Sequence, residues 1–180
     1  MQAHKMTIAG LERELPLCPV SDELDIAAFI IFGDVELTVA SAKALIEKCP
    51  PFDYIVTPEA KSIPLAYEMS RQSGKKYFVI RKKPKVYMQN PVTVHVRSIT
   101  TQSDQTLIID GNDGEELRGK RVLVVDDVIS TGESLAAVEK LLENFDVNIV
   151  AKAAVLAEGD AAKREDIVFL EELPLFFKQK

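Results

Sequence analysis

The 180-residue chain has no tryptophan, two cysteines, two histidines and no purely apolar run longer than seven residues. Each scarcity excludes something. The longest run, residues 26–32, is far short of the ~20 residues that a membrane-crossing helix needs, so no membrane partner is expected. Cys18 and Cys49 cannot build the disulfide framework of a small secreted domain, and a reduced protein is expected. Cys49, beside Pro50, reads as a packing residue rather than a nucleophile. His4 and His95 have no Cys/His cluster near them, which argues against a histidine-based metal centre. No basic start leads into an apolar stretch and a small-residue cleavage site, so no secretory signal is expected and the expected location is cytoplasmic. Positive charge is also in deficit. A net charge of −6 opposes nucleic acid as a general partner, because duplex binding uses a basic face.

What is present fits one α/β domain. Apolar residues make up 47% and charged residues 28% of the chain, ordinary for a globular protein. Leu37, Ala40, Ala44 and Leu45 recur at helical spacing, and Pro50-Pro51 ends that helix. Residues 53–57 predict a short buried strand. A second helix carries Ile63, Ala66, Tyr67 and Ser70, with Gly74 as its C-cap. Residues 76–80 predict the next strand. Residues 81–110 form a long excursion with two alternating stretches, near 92–96 and 106–109, which predict a β-hairpin with mobile parts. Residues 121–125 are the strongest strand, and Leu135, Val138, Leu142 and Phe145 mark a helix after it. His95 falls on the hairpin and His4 in an N-terminal tail. Further strands are expected at 149–156 and 167–170. Strands alternating with helices imply a three-layer fold around a mainly parallel sheet, with ligands beyond the strand carboxyl ends.

Charge is unevenly spread. Arg71, Lys75, Lys76, Arg81, Lys82, Lys83 and Lys85 lie within fifteen residues that hold no carboxylate. In an acidic chain this cluster points to a small polyanionic ligand, the alternative being a solvated helix end and loop.

The segment that carries chemistry is VLVVDDVISTGESL, residues 122–135. A buried strand delivers Asp126 and Asp127 at its end, and Ser130, Thr131, Gly132, Glu133 and Ser134 lead into a helix. Helix N-termini leave amides unpaired and carry partial positive charge, so this loop is a natural phosphate seat. Gly132 allows close backbone approach, and the three hydroxyls add donors. Two carboxylates would repel a phosphate but would suit ribose hydroxyls or a hydrated Mg²⁺. A sugar phosphate satisfies both halves. The patterns GxxxxGK[ST] and GxGxxG are absent. The plain structural alternative is a capping box, Ser130-x-x-Glu133, starting an ordinary helix; it leaves the Asp pair unexplained.

This segment resembles the signature of type I phosphoribosyltransferases, which bind 5-phosphoribosyl 1-pyrophosphate (PRPP), and the resemblance extends over about residues 25–177. TPEAKSIPLA (57–66) resembles the family's pyrophosphate loop. VIRKKPK (79–85) is similar to the start of its mobile loop, VRSITTQ (96–102) to the later part of that loop in xanthine enzymes, and LEELPLFF (170–177) to the adenine branch. The resemblance implies a core over about 36–157, a small hood from about 15–35 and 158–180, and a mobile loop over about 82–105. It implies that Asp126 and Asp127 hold the ribose hydroxyls and, indirectly, Mg²⁺, that Ser130 to Ser134 hold the 5-phosphate, and that Ala60, Lys61, Arg81, Lys82 and Lys85 face the pyrophosphate. Asp126, Asp127, Arg81 and Lys85 are the catalytic candidates. A homodimer is implied as well.

In such a reaction a base nitrogen attacks C1 of the ribose as pyrophosphate leaves. The hypoxanthine-guanine branch has an acid where Ser130 stands, and adenine enzymes have a Glu in the loop where residues 99–102 have none, so the proton-transfer group is unassigned. Phe29, Phe32 and Val128 are base-contact candidates, although an apolar run also suits the core. Oxopurine enzymes usually place a Lys after the last core strand, where this chain has Ala157-Glu158-Gly159. A carboxylate suits an exocyclic amine, which favours adenine, while VRSITTQ pulls towards xanthine. The competing class is a non-catalytic PRPP sensor. Such repressors carry a DNA-binding domain ahead of the PRPP domain, and none is expected in the stretch before residue 25.

Overall fold

The computed structural model describes residues 2–97 and 104–178. Three strands come first: β1 (Ala3–Ile8), β2 (Leu11–Pro19) and β3 (Leu24–Ala27). Next come α1 (Val35–Lys48), β4 (Tyr54–Pro58), α2 (Ile63–Ser73) and β5 (Tyr77–Ile80), then a hairpin of β6 (Val92–Arg97) and β7 (Asp104–Ile109). The chain continues through α3 (Gly111–Leu117), β8 (Arg121–Ile129), α4 (Glu133–Leu142), β9 (Asn148–Glu158), β10 (Val168–Leu173) and β11 (Leu175–Phe177). Among the described residues no helix is long and apolar enough to cross a membrane.

The centre is a five-stranded sheet in the order β10-β9-β8-β4-β5, with every neighbouring pair parallel. Its two faces follow from strand alternation, since successive side chains point to opposite sides. Along β8, Leu123 and Val125 join a core with Leu37, Leu45, Leu65 and Met69 of α1 and α2. Val122 and Val124 join a second core with Leu135, Val138 and Leu141 of α4 and Leu117 of α3. The sheet is thus buried on both faces, as a parallel sheet requires. Each such side chain contributes roughly 1.5–3 kcal/mol relative to exposure. The expected three-layer α/β architecture is what the structure shows.

Helix faces differ in detail from the expected ones. In α1 the buried positions are Leu37, Thr38, Ser41, Ala42 and Leu45, so small polar residues take places that an apolarity count assigned to Ala40 and Ala44. In α2 the buried face is Leu65, Ala66, Glu68 and Met69, and Tyr67 lies outside. Glu68 is tolerated there because Arg71 and Gln72 hold its carboxylate at 2.7 Å. Gly74 closes α2 at φ 69°, as expected.

A separate four-stranded sheet, order β1-β2-β3-β11, stands where the resemblance implied a hood. It begins at residue 3 rather than 15, and His4 lies in β1, not in a tail. Lys5, Thr7, Glu12 and Glu14 alternate with half-buried neighbours, a weak pattern that hid the hairpin. Its turn is Ala9-Gly10 with both residues at positive φ (49° and 82°), the two-residue geometry that matches strand twist. Val168–Leu173, expected in the hood, pairs instead with β9 as a strand of the central sheet. The hairpin of β6 and β7 is a regular antiparallel ladder from Val92↔Ile109 to Arg97↔Asp104. Arg81 anchors it through paired backbone bonds with Ile108, both 2.8 Å.

Candidate active site

Two adjacent parallel strands, β4 and β8, set the site. Their register, Val56↔Val124, brings the loop after β4 level with Asp126 and Asp127 at the end of β8. Buried hydroxyls fix this loop. Thr57 Oγ1 lies 2.9 Å from Val125 O and 2.7 Å from Ser62 Oγ, and the Ser62 hydroxyl donates to Pro58 O at 2.9 Å. The Glu59–Ala60 peptide is cis. A cleft of about 590 Å³ opens there. It is lined by Glu59, Ala60 and Lys61 from one loop, by Asp126, Asp127, Val128 and Ser134 from the other, by Lys82, and by Gln105, Thr106 and Leu107 of the hairpin.

Lys61 bridges the two loops, its Nζ 2.9 Å from Asp127 Oδ2. Asp127 is 4% exposed, and this Oδ2 has an ion pair but no properly oriented hydrogen bond. A buried carboxylate oxygen in that condition is ready to accept one. Asp126 Oδ1 accepts from the Asp127 amide at 2.9 Å. Burial first, and then the neighbouring Asp127 charge, push the Asp126 carboxyl up to about 7.

Beyond β8 the chain turns through Ser130 and Thr131 into α4. The N-cap is Gly132, φ 81°, with no side-chain cap bond, so the Ser130–Glu133 capping box does not form. The Glu133 amide instead meets Thr131 Oγ1 at 3.4 Å. Apart from that long contact, a glycine N-cap puts no side chain over the first-turn amides, which suits them to an anion. A recess of about 100 Å³ lies there, lined by Asp126, Val128, Ser130, Thr131, Gly132 and Ser134 among others, and it shares Asp126, Val128 and Ser134 with the larger cleft.

Several expected residues stand elsewhere. Arg81 does not line the cleft. Its Nε pairs with Glu59 Oε2 at 2.9 Å and its Nη1 donates to the Tyr87 hydroxyl at 3.2 Å. Lys85 lies in the turn before Met88 and also stays out of the lining. Phe29 is 4% exposed and belongs to the core beneath the hood, rather than to the lining of the cleft. Phe32 is 51% exposed, but neighbouring Ile31 and Gly33 border a different groove, with Val35, Ile63 and Tyr67. Glu158 ends β9, half-buried, opposite Leu173. Residues 99–102, where a loop Glu was sought, lie outside the described residues.

Sequence reasoning missed Glu59. One of its oxygens holds Arg81 and the other accepts from the Lys82 amide at 2.6 Å, so it joins the end of β5 to the β4 loop. Its position inside TPEAKS was the available signal. The hairpin residues Gln105, Thr106 and Leu107 were missed because their approach depends on the Arg81–Ile108 bridge, a long-range contact.

Comparison with known proteins agrees with this geometry. A family model described as phosphoribosyl transferase domain matches residues 42–177. A hypoxanthine/guanine phosphoribosyltransferase of Methanocella arvoryzae is 32% identical over 145 residues, covering 81% of this chain and 70% of that protein. An HGPRTase-like protein 2 of Haloterrigena turkmenica is 40% identical over 111 residues, 61% of this chain and 58% of that one. The chain thus spans little more than half the length of several curated relatives that it matches. Among solved structures, adenine phosphoribosyltransferase of Thermoanaerobacter pseudethanolicus superposes with a TM-score of 0.72 at 19% identity, covering 88% of this chain and 95% of that one. The Saccharomyces cerevisiae adenine enzyme gives 0.64 at 20% identity, with 94% and 93% covered. At such identities the structures establish the shared fold, and the family model establishes the membership: this chain belongs to the phosphoribosyl transferase domain family.

Proposed function

We propose that the chain binds PRPP in this cleft and transfers its 5-phosphoribosyl group to a purine base, giving a nucleoside 5′-monophosphate and pyrophosphate. The observation that carries the reading is the placement of Asp126 and Asp127 between two loops of opposite character. On one side lies a glycine-capped helix start, suited to a terminal phosphate. On the other lie Ala60, Lys61 and Lys82, suited to pyrophosphate. A ribose spanning the two would set its hydroxyls against the carboxylates.

In this reading ligand entry exchanges one ion pair for several contacts. Lys61 leaves Asp127 for the pyrophosphate, and Asp127 accepts from a ribose hydroxyl instead. Positive charge around the leaving group stabilises the negative charge that builds there. Glu59 keeps Arg81 beside the loop, and on ligand entry Arg81 and Lys85 turn towards the pyrophosphate as the stretch between β5 and β6 closes and excludes water. Mg²⁺ fits the donor set. Among the described residues no group of three His, Cys, Asp or Glu side chains makes a cage, so Asp126 and Asp127 would hold the ion indirectly, through ribose hydroxyls or water, alongside oxygens of the ligand. When bound it would supply charge neutralisation on the diphosphate.

Adenine is the proposed base. Glu158 at the end of β9 can accept from an exocyclic amine, and Val128 lines the cleft beside the ribose position. A 6-oxopurine is the second reading, favoured by the hypoxanthine/guanine names of the relatives above. The proposal includes a homodimer, supported by the exposed apolar residues Val35, Val39 and Tyr67, which line one groove. Pyrophosphate release with adenine, guanine, hypoxanthine and xanthine tests the reading against an Asp126→Asn/Asp127→Asn variant. Turnover fastest with adenine and absent in the variant is expected. PRPP binding without turnover on any base would support a sensor instead.

A further inference from the structure

Arg164 lies in the connection between β9 and β10. Its Nε and Nη2 donate to the two oxygens of Asp166 at 2.8 and 2.7 Å. Asp166 is itself held by Lys152 Nζ at 2.7 Å, and the same ammonium donates to Glu139 Oε1 of α4 at 3.0 Å. Lys152 is only 14% exposed. Burial works against its charge, but the bonds to Asp166 and Glu139 outweigh that and raise its pKa. A chain of charges therefore runs from the helix that starts at the phosphate loop, through β9, to the Arg164 guanidinium. A fork held at two nitrogens is fixed in plane and direction.

The third nitrogen faces the loop. A methyl group added at Gly132 would stand 2.5 Å from Arg164 Nη1, so the missing side chain gives the guanidinium room against the turn. Among the described residues Nη1 makes no hydrogen bond. The loop also needs positive charge. Asp126 borders its recess, Glu133 opens its helix, and Lys61 is turned towards Asp127.

We propose that Arg164 is a further ligand-binding residue, presenting Nη1 to a phosphate monoester seated at Gly132, with Asp166 and Lys152 as positioning residues. This deepens the reading above and rests on it for the identity of the ligand, the 5-phosphate end of PRPP. It predicts that Arg164 acts on one end of that ligand only.

Calorimetric titration of the wild type, Arg164→Gln and Arg164→Lys with ribose 5-phosphate, PRPP and pyrophosphate tests it, with melting temperatures recorded alongside. Arg164→Gln should weaken ribose 5-phosphate and PRPP about tenfold and leave pyrophosphate unchanged. It should raise the KM for PRPP with kcat retained. Arg164→Lys, keeping the charge but losing the fork, should recover part of the affinity. Equal affinity of Arg164→Gln and wild type for ribose 5-phosphate would overturn the proposal, as would a uniform loss for all three ligands. Arg164-dependent binding of ribose 5-phosphate without PRPP turnover would uphold it while removing the transferase reading.

Discussion

The loops at the ends of β4 and β8 and the hood sheet are built on opposite plans. Each loop is one short contiguous segment hung on a buried parallel strand, and a single register, Val56↔Val124, sets one beside the other. The hood joins residues from both ends of the chain, with Leu175↔Ile26 and Cys18↔Ile26 pairing across it. Chemistry held in a local segment keeps its meaning when read as a string. Chemistry assembled from distant strands depends on which side each residue faces, and a period of two makes that side sensitive to a slip of one position.

The sharpest way to break this contrast is at β8. Asp126→Asn/Asp127→Asn should lower kcat/KM roughly a hundredfold or more while the fold, read by circular dichroism, persists. A smaller loss would move the chemistry away from the strand end. Phe29→Ala should cost about 3–5 kcal/mol of stability, the usual penalty for truncating a buried aromatic, as measured by urea unfolding. Phe32→Ala should change stability by less than about 0.5 kcal/mol. Equal costs would erase the distinction between core and surface in the hood. Lys61→Ala should weaken PRPP about tenfold by removing a charge-assisted contact, with purine KM unchanged, measured by steady-state kinetics in both substrates.

The smallest effect concerns pH. Asp126 has a raised pKa in the folded, ligand-free protein, so there it keeps a proton that the unfolded chain would release. The stability associated with that proton is fully present below the ordinary carboxylate range and is lost as pH rises through the raised value. Asp126→Asn lacks this loss. The melting temperature of the variant relative to wild type should therefore climb between about pH 4 and pH 7, and a flat difference would deny the shift.

Much of the central layer was legible. β8, α4, β9 and the hairpin stand where alternation and helical spacing put them, because burial on both faces leaves long apolar signals. α3 was not foreseen, since its seven residues, GNDGEEL, carry one large apolar side chain. The N-terminal hairpin escaped for a related reason: β1 and β2 are half-exposed and rich in charge. In the site, Asp126, Asp127, Ala60, Lys61 and Lys82 converge on the cleft and the Ser130 to Ser134 turn borders it. Arg81 and Phe29 do not line it, since their directions are set by an ion pair and by packing with residues far away in sequence, and Lys85 and Phe32 also stay out of the lining. Arg164 was invisible because its approach to Gly132 is a long-range contact.

The direct test of the central claim is calorimetric titration of the folded chain with PRPP in the presence and absence of magnesium, repeated with Asp126→Asn/Asp127→Asn. Uptake that magnesium strengthens and the paired substitution abolishes is the predicted result. A correctly folded wild-type chain that takes up no PRPP with magnesium present would contradict the account.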